Sequence, residues 1–552
     1  MEMTRQAISR KSRLINAALL VLGFIFFLQS FASAQTVTLL HTFHGTDGAN
    51  PHAAVIQDSA GRLYSTTEFG GATQQDSGTV FRLSGTTFTL LYSFGGADDG
   101  FRPDSKLVRD SAGVLYGTTA QGGLQCQGYQ CGVFFQVSGT SETTLHLFSG
   151  PPTDGALVGG IVRDSQGNFY GTTCAGGTYD RGTVFTVDAT GKESILYNFK
   201  GGFDGRCPTG MVRGSGGNLY GVTVGGGGSS ACTATGTNAF IFNGCGTVWK
   251  LTNSNGVWTK TSLHRFKLTD GAVPQGRLIR DNSGNLYGTT QFGGSGNCTS
   301  GCGTVFKLTV SGQLVILNEF LNKANGYYPF AGLVRDSGGN LYGTSAYGGN
   351  TACLNGVGCG TVFKLDPAGN KTVLHKFTGS ADGFNPIAEL LLNETTHTLY
   401  GTTYLGGDQS CSTRYGGGPG CGVVFKIKYQ RPPSSGITSY MRTRDRALRK
   451  NNPGYGSEQF TYLPESNRYR CPAGEQLNYV GLNVRNRAHA YIGSAKRCGA
   501  CSQKHNARLD DINISPFTSM SRHDNAHGSW PTHRSFPRRN DSERKSRPCL
   551  RD

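Results

Sequence analysis

The sequence has little charge, little tryptophan and almost no long apolar runs. Charged residues are 16% of 552 positions, with 3 Trp and 5 Met against 83 Gly. That balance disfavours a helical protein and suits a turn-dense β protein. Beyond the N-terminal segment no stretch is apolar enough to span a bilayer. There is no Gly-x-Ser-x-Gly elbow, no His-Glu-x-x-His and no Gly-x-x-x-x-Gly-Lys cradle, so serine-hydrolase, zinc-protease and P-loop chemistry lack their parts. The Gly225–Gly228 run reads as a flexible loop. Only Trp249 and Trp258 fall inside the repeats described below, so the Trp-rich blade docking of quinone-dependent dehydrogenases is missing too. The net charge of +17 is not spread evenly. Residues from Gln430 onward hold 22 Lys/Arg against 10 Asp/Glu, the first 34 hold 4 against 1, and residues 35–429 hold 26 against 24. The middle of the chain is nearly neutral, and no specific nucleic-acid partner is expected for it.

What is present begins with an export signal. Arg5, Arg10, Lys11 and Arg13 precede an apolar run from Ala17 to Leu28, then Ala32-Ser33-Ala34, a small-x-small cleavage site. The run is short for a membrane anchor, so the mature chain is expected to start near Gln35, in the extracellular space, at the cell surface or in the periplasm.

From there one phrase recurs. Its Leu/Phe-Tyr core stands at Tyr64, Tyr116, Tyr170, Tyr220, Tyr287, Tyr342 and Tyr400, at steps of 50 to 67 residues. Each unit reads as four strands: one ending near Leu278-Ile279-Arg280-Asp281, a tight turn, Leu-Tyr-Gly-Thr-Thr, a Gly-Gly loop, Gly-Thr-Val-Phe-Lys-Leu, a short turn, and a fourth such as Thr372–Phe377. Seven units of four antiparallel strands predict an all-β fold, a seven-bladed β-propeller over 35–429. A parallel β-helix is the competing solenoid, but its coils are shorter and no capping repeat is visible. The repeats open on Thr36–Phe43, which matches the fourth strand, and end on Val423–Ile427, which matches the third. Residues 36–43 are therefore expected to close the last blade and hide its edge.

Cysteines bracket the second-to-third strand loops as Cys126/Cys131, Cys232/Cys245, Cys298/Cys302, Cys353/Cys359 and Cys411/Cys421. Cys174 and Cys207 stand in loops that share a face, so six disulfides are expected. Metal ligation is the weaker alternative, since isolated pairs do not make a tetrahedral site. Connector carboxylates recur at Asp47, Asp99, Asp154, Asp204, Asp270 and Asp382, with Asn325 in the remaining unit. Near the channel mouth such a ring has the chemistry for Ca²⁺ or a cationic ligand. Asp-Gly is also a standard turn dipeptide, and repetition in step with the blades favours turn capping. No catalytic residue, cofactor or resident metal is expected.

The Gly-Asn-Leu-Tyr-Gly-Thr-Thr, Gly-Gly and Gly-Thr-Val-Phe-Lys-Leu elements, in all seven units from about 36 to 429, resemble the GloVer (Gloeo/Verruco-type) tandem repeat of secreted bacterial proteins whose C-terminal anchor varies. The resemblance implies an exported or surface-attached protein and transfers no catalytic residue. After a linker at 430–456 the tail changes character. Tyr469-Arg470-Cys471-Pro472-Ala473-Gly474 and Cys498-Gly499-Ala500-Cys501 resemble a segment of IS1182-like DDE transposases, over 457–505 only. The catalytic acidic residues of that group are absent. Cys471, Cys498, Cys501 and His505 have the chemistry of zinc ligands, but a non-functional remnant is the preferred reading of the tail. Two functions are carried forward: an exported binding or surface-interaction module for an extracellular glycan or protein, and a carbohydrate-active lyase or hydrolase on the same scaffold.

Overall fold

The computed structural model describes residues 35–429, apart from 36, 74, 97–98, 124, 127–128, 233–242, 299 and 412–418, together with the backbone of four strands between 461 and 492. Two units divide the chain, 1–494 and 495–552. Cys471, Cys498, Cys501 and His505 lie outside the described residues, as does the N-terminal segment. The backbone strands Thr461–Leu463, Arg468–Arg470, Gln476–Asn483 and Ala488–Ile492 form one antiparallel sheet.

Residues 37–428 form seven four-stranded antiparallel sheets, the blades of a β-propeller. In the fifth blade the strands are Ile279–Arg280, Leu286–Thr290, Thr304–Leu308 and Leu314–Glu319, each pairing with the next. The innermost strands of blades one to seven are Ile56–Gln57, Val108–Arg109, Gly155–Arg163, Arg206–Arg213, Ile279–Arg280, Val334–Arg335 and Leu391–Asn393. The seventh blade borrows its outermost strand from the start of the chain. Val37–Thr42 runs antiparallel to Val423–Lys428, with Val37 opposite Ile427 and Thr42 opposite Val423. The closure expected from the sequence is present.

The repeated phrase is the wiring of one blade to itself and to the next. The second strand sets a buried Leu or Phe beside a Tyr, and in five blades that Tyr hydroxyl donates to the Asp of its own hairpin turn, as Tyr287 does to Asp281 at 3.0 Å. Its Gly, replaced by Ser65 in blade one, leaves room for the facing ring: a Cβ on Gly288 would stand 2.6 Å from the Phe306 ring. The second Thr pairs with the Thr of the third strand, Thr290 with Thr304 at 2.8 Å. In that third strand Val305 and Phe306 are fully buried. Each blade also ends its outermost strand on a Phe that meets the next blade edge-on. The pairs Phe94/Phe135, Phe148/Phe185, Phe199/Trp249, Phe266/Phe306, Phe320/Phe363, Phe377/Phe425 and Phe43/Phe81 have centroids 5.0–5.8 Å apart. Edge-to-face pairs of this kind add about 0.5–1.5 kcal/mol beyond their buried area, so the ring is joined at every junction by the same contact.

Disulfides join Cys174 to Cys207, Cys232 to Cys245, Cys298 to Cys302, Cys353 to Cys359 and Cys411 to Cys421. Cys131 is disulfide-bonded as well; the side chain of its expected partner, Cys126, lies outside the described residues.

Candidate functional site

The connector carboxylates cap their own turns. Asp47 accepts the His44 N–H, Asp99 those of Gly95 and Gly96, Asp154 those of Ser149 and Gly150, Asp204 that of Lys200, Asp270 that of Lys267 and Asp382 that of Thr378. Each also meets a His or Tyr of the adjoining outermost strand: His41, Tyr92, His146, Tyr197, His264 and His375. These bonds tie the six acids to the outer strands. Among the described residues no three His, Cys, Asp or Glu are arranged to hold a metal.

The symmetry breaks elsewhere. Three residues after the connector Asp or Asn, every blade places one residue in the left-handed region: Asn50, Arg102, Leu157, Cys207, Val273, Tyr328 and Asn385, all with φ between 52° and 62°. Its N–H reaches back to the preceding blade, as Val273 does to the Cys245 carbonyl at 2.9 Å. Its side chain is thereby aimed at the residue following the second strand of that blade. The seven junctions use this one pair of positions differently. Blades three and four fill it with the Cys174–Cys207 disulfide. Asn50 donates to the Tyr404 carbonyl at 2.9 Å, and Asn385 to that of Ala346 at 3.2 Å. Blades one and two fill it with an ion pair, Arg102 donating from Nε to Glu68 at 2.6 Å, with Glu68 only 2% exposed.

Around that ion pair a polar cluster is assembled. The Tyr404 hydroxyl of blade seven also donates to Glu68, and burial together with that carboxylate pushes its pKa up. Two positions further along the connectors, before the innermost strands begin, stand His52 and Asp104. His52 Nδ1 lies 3.3 Å from the Asp104 carbonyl, and its ring meets Phe330 and Tyr404 edge-on at 6.0 and 6.1 Å. Phe330 belongs to blade six, so His52 faces it across the channel rather than across a blade junction. Burial pushes the Asp104 carboxyl up to about 6, with the Glu68 charge adding to the rise and His52 and Arg102 opposing it.

One layer deeper the channel is bridged. Lys106 of blade two reaches Glu389 of blade seven, Nζ to Oε1 at 2.7 Å. Arg277 of blade five adds a second cation; Lys106 and Arg277 together outweigh burial and hold the Glu389 carboxyl below its ordinary range. Blade six carries Gly332 at this layer, and a Cβ there would stand 3.1 Å from Glu389 and closer still to the Arg277 backbone.

None of these channel residues was singled out from the sequence. The signal that could have found them was the charge itself: Glu68, Arg102, Asp104, Lys106, Arg277 and Glu389 stand at positions where the remaining units carry no Asp, Glu, Lys or Arg.

No curated protein matches the sequence. Among solved structures the chain is similar to virginiamycin B lyase from Staphylococcus aureus, at 13% identity and a TM-score of 0.44, over 71% of this chain and 99% of that one. It is also similar to a gluconolactonase from Xanthomonas campestris, at 12% identity and a TM-score of 0.34, over 72% of this chain and 93% of that one. At these values the likeness carries no argument about activity. Residues 21–235, 233–415 and 300–447 match the Gloeobacter/Verrucomicrobia repeat, and the chain belongs to that repeat family.

Proposed function

We propose that the protein is an exported β-propeller that binds a small polar ligand, a glycan first of all, at the channel mouth walled by blades seven, one and two. The observation that carries this reading is the local break in symmetry. A scaffold that repeats its contacts around the ring concentrates Glu68, Arg102, Asp104, His52 and Tyr404 at two adjacent junctions, between blades seven and one and between blades one and two. Polar groups converging beside aromatic faces in a concave site are what an oriented sugar needs. Export is supported by the disulfides, which persist in oxidising compartments.

A second reading rests on Asp104. A carboxyl near pKa 6 beside a histidine is suited to proton transfer at neutral pH, the chemistry of a polysaccharide lyase or hydrolase. One experiment separates the two. The disulfide-bonded protein is titrated with neutral, uronic and amino sugars and their oligomers by calorimetry, and the same mixtures are followed for bond cleavage. Binding that falls at least tenfold in Glu68→Ala, with no turnover, establishes the module. Turnover abolished by Asp104→Asn with binding retained establishes the enzyme. Saturable binding unchanged in both variants would move the site away from this mouth.

A further inference from the structure

Outside the channel the ring breaks its symmetry a second time, at the junction of blades three and four, on the face that carries the connectors. Phe203 and Tyr179 are 67% and 48% exposed there, the only exposed Phe, Tyr or Trp among the described residues. Phe203 stands just before the connector acid, where the other six connectors carry Thr, Asp or Ala. The glycine run of the blade-four loop makes its seat, since a Cβ on Gly228 would run into the Phe203 ring. Each exposed ring carries a cation. Arg265 lies over Phe203 with its guanidinium carbon 5.6 Å from the centroid, and the Lys200 ammonium lies over Tyr179 at 5.9 Å. We propose that this patch binds a chain of uronic acids, an acidic polysaccharide.

Charge fixes the sign of the partner. Around the rings stand five cations, Arg181, Lys200, Arg206, Lys260 and Arg265, against two acids, Asp180 and Asp204. That local excess is larger than the excess of the whole propeller, where 26 Lys/Arg face 24 Asp/Glu. The cations press on one another. Burial and then the Arg181 charge lower the Arg206 pKa, while burial lowers that of Lys260 against the pull of Asp204, with Arg265 adding to the fall. Both acids are occupied. Asp180 accepts the Gly176 N–H at 2.8 Å, and Asp204 accepts the Lys200 N–H at 2.8 Å, the Tyr197 hydroxyl at 3.0 Å and the Lys260 ammonium at 2.7 Å. Lys200 and Arg265 are exposed and make no ion pair among the described residues. Exposed apolar faces set beside unpaired cations suit a ligand built of the same alternation: pyranose rings, whose C–H faces stack on aromatic rings, each bearing a carboxylate. Two aromatic rings presented by adjacent blades call for several sugars in a row. The patch shares no side chain with the channel mouth and stands whether or not that mouth binds a sugar.

The test titrates the full disulfide-bonded chain with oligogalacturonate by calorimetry. Its methyl ester, with the same rings and no charge, and polyglutamate, with the charge and no rings, are the controls. Oligogalacturonate is expected to saturate, to bind at least tenfold more tightly than either control, and to weaken as added salt screens the exposed cations. Phe203→Ala and the double variant Lys200→Gln/Arg265→Gln should each weaken it at least fivefold. The three side chains are exposed, so both variants should keep the melting temperature of the parent. Glu68→Ala is titrated alongside, because the channel mouth is itself proposed to take a sugar. Oligogalacturonate that fails to saturate, a control that binds as tightly, or single-stranded DNA that binds more tightly would each overturn the proposal. So would binding that survives both patch variants; its loss in Glu68→Ala would then place the acid sugar at the mouth.

Discussion

Lys260 and Lys371 show how one side chain can change character when a single neighbour differs. They occupy the same position of the outermost strand, opposite Leu251 and Leu365, in blades four and six. Lys260 finds the connector acid of its junction, with Nζ 2.7 Å from Asp204 Oδ1 and 3.1 Å from Ser262 Oγ. The corresponding connector before blade six carries Asn325 in place of the acid. Lys371 instead lies 3.7 Å from the Phe320 ring centroid, and burial pushes its amine down to about 7. The folded value is below the unfolded one, so between pH 7 and the ordinary lysine range the unfolded chain holds more protons and stability rises with pH. The loss is complete below about pH 7. Lys371→Met removes the buried charge and is expected to stabilise the protein by about 1 kcal/mol at neutral pH. The gain should be largest under acidic conditions and vanish above about pH 10. Urea unfolding across that range checks it; a gain independent of pH would refute the assignment.

At the scale of the strand and its connector, glycine and proline set how blades meet. Gly303 precedes the third strand of blade five with φ 97°, and a Cβ there would stand 2.5 Å from the Thr290 carbonyl oxygen and 2.6 Å from Cδ of Pro329, the connector proline of the next blade. Gly312, in the outer hairpin of the same blade, has φ 85° but nothing within 4 Å. Gly303→Ala should therefore cost about 3 kcal/mol or more, strain and clash together, and Gly312→Ala only about 1 kcal/mol of left-handed strain. Thermal unfolding of the two variants isolates the junction; equal losses would mean that the proline contact does not matter. These elements were legible in the sequence because six of the seven junctions repeat them for the same steric reason, with Val158 replacing the proline at the seventh. The left-handed position that aims the Glu68–Arg102 pair was not. Asn, which favours that conformation, occupies only Asn50 and Asn385, while Val273 and Leu157 hold it because backbone bonds to the preceding blade override their preference. The channel residues were hidden for a related reason. They are single departures in and beside the connectors that lead into the short inner strands, and only the ring brings blade one to face blade six.

For the molecule as a whole, stability depends on a strand that comes from the other end of the repeats. The junction between blades seven and one uses the same parts as the rest: Phe43 packs on Phe81 at 5.3 Å, its N–H donates to the Gly422 carbonyl at 3.1 Å, and Pro51 sits against Gly422. Here, however, Phe43 follows a strand laid down before the first repeat, so its bond to Gly422 forms only when both ends of a chain of about 390 residues meet. Removing residues 36–43 strips Leu40 and Phe43, buried at 7% and 0% exposure, from the last interface. That is a loss of several kcal/mol, comparable with the whole margin of a folded domain. It also bares the backbone edge of Val423–Lys428, in which Val423, Val424, Phe425 and Ile427 are fully buried. An unpaired apolar edge pairs with whatever strand is offered. The truncated protein is therefore expected to melt well below the full chain and to self-associate in light scattering, and a synthetic peptide of residues 36–43 should return it to monomer. A truncated chain that stays monomeric with its melting temperature unchanged would show that six blades and a three-stranded remnant hold the ring without closure.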